Sequence, residues 1–316
     1  VAGLRGGAGA DGGVRLAMKL TVLYRGPLSG CNYGCEYCPF GKWKQSEEEL
    51  TKDRADLERF LAWVESRTQD TVSVFFTPWG EALIWPWYQQ ALARLTHLPH
   101  VERAAVQTNL SCRLDWLADC RPEKLGIWAT YHPEWMKRSR FLAQCHRLSE
   151  HGVRHSAGMV GFRRFADEAE ALRRELPDDT YLWINAVKDG LDAYTPEDVE
   201  RFTRIDPLFP VNNTRHPSRG RACRGGESVL SVDGDGTAYR CHFIKEPLGN
   251  LYAPDFDAAL RPRPCSKDTC GCHIGYVHLE YLELDRVFGS GLLERVPATR
   301  LWTGGAQRSA SRISQS

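Results

Sequence analysis

Short apolar runs alternate with longer amphipathic stretches, and this rhythm most constrains what the chain can fold into. Lys19 to Arg25 reads as a first strand, with Leu20, Val22 and Tyr24 on one face. Glu47 to Arg67 then reads as a helix whose Leu50, Leu57, Phe60, Leu61 and Val64 form an apolar stripe. The same reading predicts strands over Thr71 to Thr77, Arg103 to Thr108, Leu125 to Thr130, Arg154 to Val160 and Tyr181 to Val187. Helices are expected over Pro86 to Thr96, Ser139 to His151 and Ala166 to Leu176. Strands separated by helical crossovers pair in parallel and bury both faces. Roughly six such repeats precede residue 205, which fits a partial (β/α)6 TIM-like barrel better than a closed eight-stranded one. Polar residues sit at the strand exits, where α/β folds build their sites.

After Pro210 the rhythm changes. Ser228 to Val232, the turn Asp233-Gly234-Asp235-Gly236, and Thr237 to Phe243 read as a β-hairpin. The expected organisation is an α/β barrel domain over residues 18–216 and a small C-terminal auxiliary domain containing the hairpin over residues 217–302. Residues 1–17 are glycine-rich and aperiodic and are expected to be a disordered extension, with Met18 an alternative start. Residues 303–316 are expected to form a flexible tail. A formal net charge of +1 gives no global field for nucleic acid. No run is long and apolar enough for a bilayer span and no secretory h-region is evident, so a cytoplasmic chain without membrane or nucleic-acid partners is expected.

Eleven cysteines are many for 316 residues. A secreted disulfide framework is the rival explanation. It fits poorly, because Cys31, Cys35 and Cys38 form one tight set and Cys223, Cys241, Cys265, Cys270 and Cys272 a second group. Cysteines this close in sequence suit a metal better than one another. Cys112, Cys120 and Cys145 read as small buried hydrophobes. The first set follows the first strand directly. Three thiolates around one centre leave either a zinc ion with a fourth ligand or a cubane with one open iron. Tyr37 places an aromatic ring beside Cys38.

The run Cys31-Asn32-Tyr33-Gly34-Cys35-Glu36-Tyr37-Cys38 resembles the CxxxCxxC element of the radical S-adenosylmethionine (SAM) family, whose partial barrel also matches the inferred repeats. The resemblance spans residues 18 to about 210. It implies that Cys31, Cys35 and Cys38 hold a [4Fe-4S] cluster whose open iron binds S-adenosyl-L-methionine, and that reductive cleavage gives a 5′-deoxyadenosyl radical. Gly80-Glu81 resembles the family's element for the methionine amino group, which the preceding cluster favours over the alternative of a carboxylate answering a helix dipole. Tyr37, Gln107, Asn109, Ser156 and Asn185 are further candidates for cofactor contact.

The five later cysteines resemble the abbreviated auxiliary-cluster (twitch/SPASM-like) domains of the family. Cys223 and Cys241 match the first two ligands, while Cys265, Cys270 and Cys272 compete for the other two. The expected ligands of a second [4Fe-4S] cluster are Cys223, Cys241, Cys270 and Cys272. That leaves Cys265 as a candidate catalytic hydrogen-atom donor, with the alternative that Cys265 ligates and one of the others is free. The chain also resembles the aminoglycoside-modifying members, among them epimerases of the kind that convert neomycin C to neomycin B. The reaction expected from that likeness is inversion of a ring C–H centre of an aminoglycoside or amino sugar, with flavodoxin or ferredoxin as external reductant. The alternatives are a dehydrogenase or dehydratase acting on an aminocyclitol or sugar, and a peptide-modifying enzyme. His132, Glu134, Asn185, Lys188, Asp189, Asp192, Asn212, Asn213, Arg215 and His216 are candidate substrate contacts at strand ends. Trp79, Trp128 and Trp183 are candidate cavity walls.

Overall fold

Parallel pairing in sequence order organises the molecule. The computed structural model describes residues 16–41, 44–188, 190 and 192–301. The expected N-terminal extension (all but residues 16 and 17), the tail over 303–316, and Asp189 lie outside the described residues. Six strands run in order: β1 (Lys19–Tyr24), β2 (Thr71–Phe76), β3 (Val101–Thr108), β4 (Leu125–Thr130), β5 (Arg154–Val160) and β6 (Leu182–Asn185). Each is paired in parallel with the next. The helices between and after them are α1 (Glu47–Ser66), α2 (Pro86–His97), α3 (Arg138–Glu150), α4 (Ala166–Glu175), α5 (Pro196–Ile205) and the short α6 (Phe209–Asn213).

The result is a mixed α/β core with a large, mostly parallel sheet flanked by helices. One crossover departs from the strand–helix rhythm. Between β3 and β4 the chain makes only a 3₁₀ turn at Asp115–Asp119.

Strand periodicity splits the interior in two. Val22, Tyr24, Val74, Phe76, Val106, Ile127 and Ile184 join the helices in an outer core. Leu23, Phe75, Ala105, Trp128 and Trp183 point to the opposite face. The start of α1 is fixed by a capping box: Ser46 Oγ accepts from the Glu49 amide and Glu49 accepts from the Ser46 amide.

The C-terminal part of the chain completes the fold. After β7 (His216–Pro217), the hairpin strands β8 (Val229–Val232) and β9 (Thr237–Cys241) extend the main sheet, because β8 pairs in parallel with β1. The expected boundary near residue 217 therefore does not interrupt the sheet. β10 (Ile244–Asn250) adds an irregular antiparallel edge, with register shifts around Pro247 and Gly249. β11 (Thr269–Cys270) pairs with β7. Then α7 (His273–Tyr276) and α8 (Leu284–Phe288) lead into residues that cover the inner face. Tyr276, Leu282, Leu284, Phe288 and Leu293 pack with Trp128 and Trp183.

The α1–α2 contact contains a buried charge. Asp53 accepts from Trp87 Nε1 at 2.8 Å and Tyr88 Oη at 3.0 Å. Burial pushes its carboxyl up to about 6 from the ordinary 3.8. Between those values the folded chain holds a proton that the unfolded chain has released. Asp53 therefore contributes a stability that is present below about pH 4 and lost as pH rises through 6. Urea unfolding of the wild type and Asp53→Asn at pH 4.5 and 7 should show a steeper loss of stability for the wild type over that interval. Equal slopes would contradict the assignment.

Candidate functional site

The exits of β1, β2 and β3 meet around the first cysteine set. The amides of Trp79 and Gly80 both donate to the Leu28 carbonyl at 3.1 Å, and the Glu81 amide donates to the Gly30 carbonyl at 3.0 Å. Gly80 is needed for this approach: a Cβ there would lie 2.0 Å from the Gly30 oxygen. The loop that carries Cys31 is thus seated on the exit of β2 through backbone atoms.

Glu81 clamps the next exit. It is 4% exposed, and its carboxylate accepts from Thr108 Oγ1 at 2.7 Å, the Asn109 amide at 2.6 Å and the Leu83 amide at 3.0 Å. The capping role is therefore present, together with a clamp on β3. About four lone-pair sites are available to a carboxylate, so these three bonds leave one that could take a further donor. Asn109 turns back to the loop, donating to Asn32 Oδ1 at 3.0 Å with Cys31 Sγ at 3.9 Å. Gln107 lies one step below, accepting from Thr77 Oγ1 at 3.3 Å.

Two of the three thiols carry donors suited to anionic sulfur. Backbone amides of Tyr33 and Phe40 donate to Cys31 Sγ and Cys38 Sγ, both at 3.4 Å. Without a cation, burial pushes the Cys31 thiol up to about 11, and neighbouring Glu81, Cys35 and Cys38 add to the rise. A bound metal inverts that balance. Cys35 is buried, with His132 Nδ1 at 3.4 Å, and Tyr37 Oη is 2.8 Å from the same nitrogen. Burial holds His132 down at about 4, so its ring is neutral. His132 therefore braces the cysteine loop, a role sequence reasoning missed when it placed this residue among substrate contacts. Tyr33, stacked on Trp135 at 5.6 Å, braces it too.

Other candidates lie elsewhere. Ser156 is fully buried, donates to the Glu294 carbonyl at 2.6 Å and accepts from Trp183 Nε1 at 3.1 Å. It ties the C-terminal segment to β5 and is not brought to the cysteine loop. Asn185 is exposed at the end of β6. Asn212 bridges the Ala186 amide and Tyr276 Oη, and His216 Nε2 meets the Val211 carbonyl. Asp192 caps the Arg163 amide and Glu134 faces Arg164. Trp79 is 39% exposed beneath the Arg25 guanidinium, 3.8 Å from its ring.

The second cysteine group comes from separate segments of the C-terminal region. Cys265 is held beside the Cys223 segment by two backbone bonds, from the Gly220 amide to its carbonyl and from its amide to Arg221 O, both 2.9 Å. Burial raises the Cys241 thiol, and the neighbouring Cys223 and Cys265 raise it further. Cys270 Sγ occupies the space that a Cβ on Gly275 would fill, at 2.7 Å. Burial pushes that thiol up to about 12, with Cys272, Cys241 and Cys223 contributing. Cys272 is also a neighbour of Cys270, whose thiol it raises, and the positive groups Lys188, Arg25 and Arg295 act on it as well. Lys188 Nζ donates to the adjacent Gly271 carbonyl. Burial brings the Lys188 ammonium down to about 8.

Among the described residues, no three His, Cys, Asp or Glu side chains converge on a single-ion position. A 340 Å³ cavity lined by Thr21, Ser73, Arg103 and His278 lies at the strand starts, away from the cysteine loop. No helix among the described residues is long and apolar enough to cross a membrane.

No family model and no curated protein sequence matches the chain. Its fold is nevertheless shared with solved structures. SuiB of Streptococcus suis, bound to S-adenosylmethionine, matches with a TM-score of 0.52 and 11% identity over 78% of this chain. The chain spans 66% of SuiB's length. The polyhistidine-tagged form of anSMEcpe with bound AdoMet matches with a TM-score of 0.51 and 16% identity, over 73% of this chain and 77% of that one. The native form with AdoMet and the Kp18Cys peptide gives the same TM-score at 15% identity and the same coverage. At these identities the likeness establishes the fold.

Proposed function

We propose that the chain is a radical SAM enzyme with an auxiliary iron-sulfur cluster. The observation that carries this reading is the Cys31, Cys35 and Cys38 loop, locked on the exits of β2 and β3 by Gly80, Glu81 and Asn109. The three S-adenosylmethionine-bound comparison structures support it through their fold. When bound, the first cluster and S-adenosylmethionine supply a 5′-deoxyadenosyl radical for C–H abstraction. The chain's own part is to hold three anionic sulfurs, with amides of Tyr33 and Phe40 as donors and His132 and Tyr37 as braces. Cys223, Cys241, Cys265 and Cys270 are the ligands proposed for the auxiliary cluster.

This ligand set moves Cys265 from hydrogen donor to ligand and leaves Cys272 over. The positive groups Lys188 and Arg295 around Cys272 oppose a polycationic aminoglycoside. Substrate oxidation, in the manner of the dehydrogenase and peptide-modifying alternatives, is the outcome the site supports best. One comparison structure holds a peptide, which fits the peptide-modifying alternative. A second reading, hydrogen return from a thiol, is favoured only by the position of Cys272.

The anaerobically reconstituted chain should form 5′-deoxyadenosine from S-adenosylmethionine and dithionite. Once a substrate is in hand, turnover in deuterated water separates the outcomes. Oxidised product without solvent deuterium supports oxidation, whereas an equal-oxidation-state product carrying one deuterium, lost in Cys272→Ala, supports hydrogen return.

A further inference from the structure

The C-terminal segment carries a charged side chain into the inner face of the sheet. Arg295 is 1% exposed, adopts a left-handed backbone at φ 56°, and follows a fully buried Glu294. Its guanidinium lies 4.8 Å from the Trp183 ring and 5.5 Å from the Trp128 ring. Arg295 Nε and Nη1 and Trp128 Nε1 have no hydrogen-bond partner in the protein. Glu294 does not serve them, because its carboxylate turns to Arg103 at 3.6 Å and Arg154 at 3.3 Å. Asp206 is the nearby acid. Its oxygens accept from Tyr181 Oη at 2.6 Å and from the Ile184 and Leu208 amides at 2.9 Å.

These groups sit beneath the turn that carries Cys272. The His273 ring meets the Trp128 ring edge-on at 5.3 Å, and Lys188 donates to the Gly271 carbonyl. A buried guanidinium with open donors is costly, because its desolvated N–H groups regain no hydrogen bond. Arginine and indole nitrogens only donate. A ligand that satisfies them must accept, and beside two cations it is best an anion.

We propose that Arg295, Trp128 and Lys188 form an anion subsite that binds a carboxylate or phosphate group of the substrate beneath Cys272. The proposal rests on the radical SAM reading for the identity of the reaction, but the subsite stands on its own donors. It assigns the substrate to the anionic class and excludes a polycationic amino sugar as the natural ligand. The cofactor's amino-acid end is expected at the exits of β2 and β3, its amine on Glu81, whereas Arg295 lies against β4 and β6.

Calorimetric titration of the reconstituted full chain with inorganic phosphate and, separately, acetate, at constant ionic strength set by chloride, tests this. Binding of phosphate alone would assign a phosphorylated substrate and binding of acetate a carboxylate. Either should weaken about tenfold or more in Arg295→Gln and in Lys188→Gln, the loss expected for one charge-assisted hydrogen bond. Arg204→Gln, an exposed cation paired with Glu200, should bind as the wild type does. If Arg295→Gln does not fold, Lys188→Gln carries the test. The proposal is overturned if neither anion binds above chloride, or if both variants bind unchanged. It is also overturned if S-adenosylhomocysteine affinity falls with Arg295→Gln, which would give the site to the cofactor. 5′-Deoxyadenosine formation is measured separately: anion binding without cleavage would sink the radical reading alone, and cleavage without anion binding would sink the subsite alone.

Discussion

Gly80→Ala should strip iron from the first cysteine loop and destabilise the chain by about 3 kcal/mol, the upper range for overpacking a fitted site. The added Cβ would lie 2.0 Å from the Gly30 oxygen and 2.7 Å from its carbonyl carbon. Both are backbone atoms, so no side chain can swing aside. The relief available is retreat of the loop that begins at Cys31, with loss of the bonds from Trp79, Gly80 and Glu81 to Leu28 and Gly30. Iron analysis after anaerobic reconstitution, with urea unfolding alongside, reads both effects. Normal iron content with unchanged stability would mean that the loop is not seated as described.

Cys265→Ala and Cys272→Ala should separate cleanly. Cys265 is anchored to the Cys223 segment and shares a neighbourhood with Cys241, so its loss should remove the auxiliary cluster and its visible charge-transfer absorbance. Cys272 follows the Gly271 carbonyl that Lys188 holds and is the cysteine outside the proposed ligand set, so its loss should leave the iron content of the wild type. The reverse pattern would restore the ligand set expected from sequence and return Cys265 to the donor role.

The two variants also mark where sequence reading stopped. Leu125–Thr130 and Arg154–Val160 were legible to the residue because buried parallel strands bear short, sharply bounded apolar runs. β10 was not, since Glu246, Pro247 and Gly249 break any alternation and the strand is held only as an irregular edge. The placement of Cys265 against Cys272 depends on how the Gly271 turn packs under Lys188, which spacing alone does not encode. Glu294 and Arg295 were invisible for a related reason. Hydropathy assigns such a pair to the surface, whereas here the tertiary fold encloses both and leaves arginine donors open. At the candidate site, Gly80, Glu81 and Asn109 stood out in the sequence as candidate cofactor contacts, and the structure seats them beside the cysteine loop. His132 was legible only as a polar residue at a strand exit.

The most direct test of the central claim is electron paramagnetic resonance of the dithionite-reduced Cys265→Ala chain, in which the first cluster is isolated, with and without S-adenosylmethionine. An iron left open by three thiolates predicts a reduced [4Fe-4S] signal whose g values shift when S-adenosylmethionine is added and which disappears in Cys35→Ala. A signal indifferent to S-adenosylmethionine, or a loop that retains zinc and shows no iron signal, would contradict the account.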